Sequence, residues 1–166
     1  MPTPLDHFDE AILSILQADN LTPQREIAER VHLSPAAVQR RIKRLLGSGV
    51  IAANSAQLNP DALGRPLTIL IEVQLVNELD ALTAGFRARV AAEDAVQQCY
   101  AVTGQTDYLL VVTAADMQEY QAITERLFGG DQNIQRFTTS IALATLKRSL
   151  HVPLPAQALA VHSMQN

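Results

Sequence analysis

Apolar residues near the start of the chain recur with the period of an amphipathic helix. A first helix is predicted from Asp6 to Asp19, because Phe8, Ile12 and Leu16 return at helical spacing. Acidic side chains gather at its start, where the helix dipole favours negative charge. The chain therefore opens with one amphipathic helix.

Two further helix starts follow, at Thr22-Pro23 and at Ser34-Pro35. Each hydroxyl can cap free backbone N–H groups, and proline is tolerated in the first turn of a helix. The third helix is predicted to end at Gly47-Ser48-Gly49. Three short helices, with a connection of about three residues between the second and the third, predict a helix-turn-helix. Residues 50–58 are predicted to add a short strand or wing, and the proline and glycine of residues 59–66 indicate a linker.

The second half of the chain changes from helical spacing to strict alternation. Ile69, Ile71, Val73 and Leu75 alternate onto one face, as in a half-buried strand. The order strand, helix, strand, strand, helix, strand predicts a ferredoxin-like βαββαβ unit. The strands are predicted over residues 68–76, 95–103, 108–114 and 134–147, and the helices over 78–92 and 116–128. The apolar side of the first of these helices is predicted to contain Leu79, Leu82, Phe86 and Val90.

The predicted helices can cover only one of the two faces of the predicted sheet. Two helices cover one face, and the pattern predicts a second face that is equally apolar, with Tyr100, Cys99 and Val102 in the strand core. A large exposed apolar surface usually marks a partner. We therefore expect a dimer that forms by packing sheet against sheet.

Composition limits the class of protein. No apolar run approaches the roughly 20 residues that span a bilayer, and Met1–Glu10 lacks the cationic and apolar regions of a secretory signal. The single cysteine, Cys99, cannot form an internal disulfide, and no Cys/His cluster has the spacing of zinc ligands. We expect a cytoplasmic protein without a metal or another cofactor.

The net charge of −4 conceals an uneven distribution along the chain. Four of the six basic side chains of residues 1–58 fall between Arg40 and Arg44, whereas residues 59–166 carry seven bases against eleven acids. The N-terminal part therefore holds a local basic patch, and the remainder supplies the net negative charge.

The basic patch lies on the predicted third helix. On a helical wheel, Arg40, Lys43 and Arg44 fall opposite the apolar side that contains Val38 and Ile42. Such a face can approach a major groove, because arginine and glutamine reach base edges while cations reach phosphates. A solvated basic face on a packing helix is the alternative, but the position in the helix-turn-helix favours DNA. The candidate DNA-binding residues are Ser34, Ala36, Gln39, Arg40, Arg41, Lys43 and Arg44.

A tight turn joins two predicted strands at residues 104–108. Hairpin turns use glycine for positive φ and aspartate for bonds to the backbone, so Gly104 and Asp107 indicate structure before function. The four histidines lie in unrelated segments, and no nucleophile–base arrangement predicts a catalytic site.

Two stretches give the chain a resemblance to a known family. Residues 34–51, SPAAVQRRIKRLLGSGVI, and residues 101–112, AVTGQTDYLLVV, resemble in order and spacing the Lrp/AsnC family of bacterial and archaeal transcriptional regulators. The resemblance covers about residues 5–150. It implies a DNA-binding helix-turn-helix, a hinge strand and a C-terminal regulatory domain, often called RAM.

The resemblance also implies a function and its site. Family members dimerise through the βαββαβ sheets, commonly assemble into octamers, and bind small effectors, usually amino acids, between dimers. We therefore expect a sequence-specific regulator whose oligomeric state or DNA occupancy responds to an amino acid. The implied effector-binding residues are Gly104, Asp107, Tyr108, Thr139 and Ser140.

The expected fold class is α+β, a winged helix-turn-helix followed by a ferredoxin-like βαββαβ domain. We expect the DNA-binding domain over residues 1–52, the hinge strand or linker over 53–66, the effector-binding and oligomerisation domain over 67–150 and a C-terminal tail over 151–166.

Two other functions are compatible with parts of this pattern. Sirohaem decarboxylases share the two-domain architecture and use His and Arg in the C-terminal half. The absence of histidine between His32 and His151, together with the basic third helix, favours a regulator over that enzyme. A stand-alone sensor of small molecules is opposed by the helix-turn-helix half.

Overall fold

The computed structural model describes residues 4–154 and divides them into two compact units. The helical unit contains residues 4–57 and 148–154, and the sheet unit contains Leu58–Lys147. The chain therefore leaves the helical unit once, folds the sheet unit, and returns to the helical unit. Only part of the predicted tail is described, since residues 155–166 lie outside the described range.

Three helices build the helical unit: α1 (His7–Ala18), α2 (Gln24–Arg30) and α3 (Pro35–Gly47). Helix α1 begins with a capping box, in which the Asp6 carboxylate accepts from the Asp9 N–H and the Asp9 carboxylate accepts from the Asp6 N–H. Helix α3 begins as predicted, with the Ser34 hydroxyl accepting from the Ala37 N–H at 3.2 Å.

The prediction that Thr22 caps α2 is wrong. Pro23 occupies the N-cap position and Thr22 lies before it. The Thr22 hydroxyl donates to the Asp19 carbonyl at 2.8 Å, and the Asp19 carboxylate accepts from the Leu21 N–H at 2.9 Å. Both side chains therefore close the turn between α1 and α2, and neither caps the second helix.

The turn between α2 and α3 depends on His32, whose φ is +55°. The Leu33 N–H donates to the Ala28 carbonyl at 3.0 Å and the His32 N–H donates to the Glu29 carbonyl at 3.4 Å. These two bonds, with a left-handed residue between them, form a Schellman motif that ends α2 and redirects the chain into α3.

The helical unit packs around two apolar clusters. Ile12, Ile27, Ala28, Val31 and Val38 form the first, between the three helices. Leu13, Leu45 and Leu154 form the second, and the described end of the predicted tail therefore contributes to the core of this unit.

The predicted wing does not form. Residues 52–59 are exposed, and no strand occurs among the described residues of the helical unit. A lone strand would leave its backbone N–H and C=O groups unpaired, so this segment stays extended without a ladder. The expected hinge strand is likewise absent from residues 53–66, where the structured part is a single 3₁₀ turn, Asp61–Leu63.

The sheet unit has the predicted βαββαβ order. Its elements are β1 (Leu67–Leu75), α4 (Asp80–Ala92), β2 (Val96–Ala101), β3 (Tyr108–Ala114), α5 (Met117–Phe128) and β4 (Ile134–Ile141). All pairings are antiparallel, in the spatial order β2-β3-β1-β4. The last strand ends at Ile141 and not at Lys147, because its ladder with β1 ends with the pair Ile69–Ile141 and a final bond from the Ala142 N–H to the Thr68 carbonyl, one residue from the start of β1 at Leu67.

The two faces of the sheet differ, contrary to the prediction that both are equally apolar. One face packs Ile69, Ile71 and Val73 against Phe86 of α4 and Ile123 of α5. The opposite face, here called the open face, alternates apolar and polar positions. Its members in register are Leu70, Leu109 and Val111 together with Glu72, Thr138 and Ser140.

Three predicted core residues are exposed. Leu79 and Leu82 are 64% and 50% exposed, since Thr83 and Phe86 are the side chains of α4 that are buried. Tyr100 is 52% exposed because it alternates with half-buried Cys99 along β2.

Candidate functional site

The outward face of α3 carries polar side chains at helical spacing. Ala36, Gln39, Arg40 and Lys43 are exposed, whereas Val38 and Leu45 are buried. Residues separated by three and four positions lie on one side of a helix, so these four share a face. Within residues 4–154, neither Arg40 nor Lys43 forms an ion pair. This face can therefore offer two cations and an amide to a ligand.

Ser34 lies at the N-terminal end of the same face. Its hydroxyl is occupied by the Ala37 N–H, so its part in any contact comes from the helix start that it caps. A helix N-terminus favours a phosphate through its free N–H groups and dipole.

Arg41 and Arg44 both form ion pairs with carboxylates at the start of α1. Arg41 Nη1 lies 2.8 Å from Asp6 Oδ2 and 2.8 Å from Asp9 Oδ1, and its guanidinium stacks 5.3 Å from the centre of the Phe8 ring. Arg44 Nη2 lies 2.5 Å from Asp9 Oδ2. The helical wheel placed Arg44 on the outward side with Arg40, and Arg44 is exposed, but its long side chain turns back toward α1 and pairs with Asp9. Both arginines bind carboxylates of α1.

Burial and ion pairing oppose each other at Asp9. Removal from water alone would raise the pKa of Asp9, but the hydrogen bonds from Arg44 and Arg41 outweigh burial and leave that pKa below its ordinary value. The Asp9 N–H, followed by Arg41, lowers the pKa of Asp6. Sequence reasoning missed both carboxylates as partners of the basic helix. The only available signal was an acidic pair at helical spacing on a neighbouring helix.

The turn between β2 and β3 is held by side-chain bonds to β1. Gly104 has φ +127°, a region that favours glycine. Asp107 Oδ2 accepts from the Leu75 N–H at 2.6 Å, and the Asp107 N–H donates to the Val73 carbonyl at 2.9 Å. The Thr106 hydroxyl donates to the same carbonyl at 2.7 Å. Asp107 therefore supports the turn with one carboxylate oxygen.

The other predicted effector residues do not converge on this turn. Tyr108 faces α4, with its ring edge-on to Phe86 at 5.0 Å. Thr139 faces the helices as well and shares a hydrogen bond with the Tyr120 hydroxyl, whereas Ser140 points to the open face. Strand β4 is two strands away from β3, about 10 Å across the sheet. Within one protomer, therefore, Thr139 and Ser140 lie away from the turn, and their side chains lie on opposite faces of the sheet.

A polar cleft in the sheet unit was not predicted. Its volume is about 390 Å³, and Arg65 crosses it, bonding to Glu119 at 2.8 Å and to the Thr113 carbonyl at 2.7 Å. Arg65 and Glu119 therefore neutralise each other within the lining, and Glu93 pairs with Arg126 at 2.7 Å. Over residues 4–154, no three metal-ligating side chains lie together, and no helix is long and apolar enough to cross a membrane.

Comparison with known proteins assigns both units. The family model of the AsnC-type helix-turn-helix domain matches residues 5–46, which include α1, α2 and nearly all of α3. The family model of the Lrp/AsnC ligand-binding domain matches residues 68–152. The first match covers the basic helix, and the second covers the hairpin turn.

Individual relatives agree over most of the chain. An uncharacterised helix-turn-helix-type transcriptional regulator of Sinorhizobium fredii is 38% identical over 150 residues, 90% of this chain and 89% of that protein. The leucine-responsive regulatory protein of Haemophilus influenzae is 37% identical over 119 residues, 72% of each chain. The crystal structure of a Neisseria meningitidis transcriptional regulator in complex with L-methionine superposes with a TM-score of 0.84 at 30% identity, covering 92% of this chain and 99% of that one.

These relatives are transcriptional regulators, and the comparisons thus favour a regulator over the decarboxylase alternative. The three-helix unit with its basic third helix and the four-stranded unit with its glycine turn each match the corresponding family domain. The chain belongs to the Lrp/AsnC family of DNA-binding transcriptional regulators.

Proposed function

We propose that this regulator reads a specific DNA sequence with the outward face of α3 and changes its DNA occupancy when an amino acid binds its sheet unit. The observation that carries the proposal is the exposed face of α3, where Arg40 and Lys43 lie without an acidic partner among the described residues. The family implies a cytoplasmic protein, where a regulator of this kind meets DNA.

The composition of this face suits a major groove. Ala36 near the helix start adds little bulk, which permits close approach. Gln39 and Arg40 can pair with base edges, and Lys43 and the capped N-terminus at Ser34 suit phosphates. Arg41 and Arg44 are left out of this proposal, because their guanidinium groups bind Asp6 and Asp9.

Two observations support the amino-acid effector. The ligand-binding domain of the family matches residues 68–152, and a related regulator was crystallised with L-methionine. At the turn, the free N–H groups beside Gly104 suit an α-carboxylate, and the oxygen of Asp107 that does not hold Leu75 suits an α-ammonium. We propose Gly104, Asp107 and Tyr108 as the core of the site. Thr139 and Ser140 join it only if a second protomer brings them to the turn.

The open face of the sheet suits a dimer interface. Leu70, Leu109 and Val111 form an apolar centre, and Glu72 and Thr138 lie beside it. A centre of this kind with a polar rim is typical of protein interfaces. We propose that two protomers pair through this face and that such dimers assemble further, to octamers as in the family.

DNA recognition is tested by selecting duplexes from a random library with the purified protein and then measuring affinity for the selected site. Arg40→Ala is expected to weaken binding by about ten-fold or more, the value of one good base contact. Arg87→Ala is the matched control, since it removes another exposed arginine, from α4 in the sheet unit. Equal affinities of both variants and the unaltered protein would remove Arg40 from the interface.

The effector is tested by thermal unfolding against each of the twenty amino acids. A ligand at a hundred times its Kd stabilises the native state by about 2.7 kcal/mol. Asp107→Asn keeps an oxygen for the Leu75 N–H but loses the charge, so it is expected to abolish the response while leaving DNA binding intact. A flat panel with all twenty amino acids would contradict an amino-acid effector.

A further inference from the structure

The four cations of α3 lie in two different environments. Arg40 and Lys43 face outward without an ion pair among residues 4–154, whereas Arg41 and Arg44 bind the carboxylate of Asp9. Arg40 and Arg44 are one helical turn apart and carry the same charge, yet only Arg44 is neutralised within the unit.

Asp9 is fully buried, and each of its oxygens has a different arginine partner. Oδ1 lies 2.8 Å from Arg41 and Oδ2 lies 2.5 Å from Arg44. A buried carboxylate is costly unless it is paired and hydrogen-bonded. A DNA phosphate that drew both arginines away would leave this charge buried and unpaired, so DNA competes poorly with Asp9 for them.

We infer that Asp9 is a positioning residue that fixes α3 against α1 and withholds Arg41 and Arg44 from DNA. On DNA that lacks the recognised sequence, where no base contact is selected, the phosphate contacts of α3 then come from the outward cations, Arg40 and Lys43. Asp6 reinforces the arrangement by binding Arg41 at 2.8 Å. This inference rests on the proposed DNA contact of α3.

The number of phosphate contacts can be counted from salt dependence. The logarithm of the binding constant falls linearly with the logarithm of salt concentration, with a slope of about −0.9 for each phosphate neutralised. This slope is measured in a KCl series with a random-sequence DNA duplex of roughly 30 bp, because non-specific binding is carried almost entirely by phosphates.

Arg40→Ala and Arg44→Gln form the matched pair for this measurement. Each removes one positive charge from the same helix, and glutamine at position 44 can still donate to Asp9. Arg40→Ala is expected to flatten the slope by about 0.9 for each protomer bound, whereas Arg44→Gln leaves it unchanged. An equal flattening by Arg44→Gln would overturn the inference, since Arg44 would then contact phosphate.

Asp9→Asn supplies the opposite test. Removing the charge is expected to release the arginines and steepen the slope by about 0.9 for each one that reaches a phosphate. A folded Asp9→Asn protein with an unaltered slope would contradict the inference; if the variant does not fold, the pair at positions 40 and 44 decides. Two other outcomes would refute the proposed DNA contact of α3 itself and not the role of Asp9. One is that the unaltered protein fails to bind the duplex, and the other is that neither Arg40→Ala nor Lys43→Ala changes the slope.

Discussion

His32 adopts a left-handed backbone conformation that residues other than glycine seldom adopt, although asparagine, aspartate and histidine do so more often than the rest. Its φ of +55° lets the chain end α2 and begin α3 with both carbonyl bonds of the Schellman motif satisfied. The imidazole is exposed, so the position demands a backbone shape and makes little use of the side chain.

Substitutions at His32 are expected to follow backbone preference. His32→Gly removes the strain of the left-handed conformation but adds entropy to the unfolded chain. The free energy of unfolding should therefore stay unchanged or rise by up to about 1 kcal/mol. His32→Val should lower it by about 1–2 kcal/mol, because a branched Cβ clashes in this region. Urea unfolding of the three proteins measures both changes, and a valine variant as stable as the parent would contradict this account.

Asp9 links the stability of the helical unit to pH. Its pKa in the folded protein lies below the ordinary value, since the bonds from Arg44 and Arg41 outweigh burial. A depressed carboxyl pKa contributes stability that is present above the unfolded pKa of about 3.9 and is lost as pH falls through the folded pKa. The unfolding free energy should therefore fall in acid, beginning near about pH 5.

Asp9→Asn isolates this contribution from that of other paired carboxylates, such as Glu93 and Asp131. At pH 7 the variant should be less stable by about 1.5–3 kcal/mol, the value of hydrogen bonds to a charged group. The difference between the two proteins should shrink as the pH falls through the unfolded pKa of about 3.9, because the carboxyl then gains a proton in the unfolded chain while the folded protein still holds it ionised. Denaturant unfolding at several pH values measures it, and a constant difference would show that Asp9 does not titrate in this range.

At the scale of elements, the segment after β4 belongs to the core of the helical unit. Gln17 Nε2 donates to the Val152 carbonyl at 3.0 Å, and the Val152 N–H donates to Gln17 Oε1 at 2.7 Å. Two residues later, Leu154 is only 9% exposed and packs with Leu13 of α1 and Leu45 of α3. These two hydrogen bonds, between the Gln17 side-chain amide and the Val152 backbone, hold the segment where Leu154 completes the second apolar cluster.

Leu154→Ala should therefore destabilise the helical unit by about 2 kcal/mol or more, the lower end of the cost of a leucine-to-alanine change in a core. Val152→Ala is the control, since Val152 is 64% exposed and binds Gln17 through its backbone. Hydrogen exchange of α1 amides reports the effect within the unit. Unchanged α1 protection in the Leu154 variant would place the segment outside the core.

The helices and strands were predictable to different degrees. The caps at Asp6, Ser34 and Asp116 define their helix starts locally, because each side chain bonds an N–H three residues ahead. The cap at Thr22 was wrong because its hydroxyl had another acceptor within reach. The end of β4 depended on where its antiparallel partner β1 begins, and no local pattern contains that information.

At the scale of the whole molecule, the open face carries three half-buried apolar side chains, Leu70, Leu109 and Val111, that lie outside the core of the sheet unit. Leu109 lies in register with Glu72, and Val111 lies in register with Leu70, so the apolar centre spans two adjacent strands. The sheet core against α4 and α5 lies on the other side. A change at the open face can therefore alter assembly without opening the core.

Leu109→Glu is expected to dissociate the proposed dimer, because it places a second carboxylate opposite Glu72 inside the interface. Sedimentation velocity should show a shift to monomer, and circular dichroism should show unaltered secondary structure. Leu79→Glu, on the exposed start of α4, is the control for a leucine outside that face. A dimer that survives the Leu109 change would place the interface elsewhere.

The sequence by itself determined the family, the order of the elements and the outward placement of Ala36, Arg40 and Lys43. These features follow from local rules: caps, periodicity and short motifs act over a few residues, and each can be evaluated without knowing the rest of the fold. The glycine turn at residue 104 also follows from a local rule, since its φ of +127° is required only by the turn of the hairpin.

The tertiary structure alone decided which cations remain free and which surfaces are covered. Arg44 shares the helical spacing of Arg40, yet Asp9 pairs with it across 35 positions of sequence. Leu154 returns to α1 and α3 from the far end of the chain, and Leu79 is exposed although it fits the pattern of a core residue. A wheel or an alternation gives the direction of each Cβ, whereas the partner of a side chain depends on distant segments that only folding brings together.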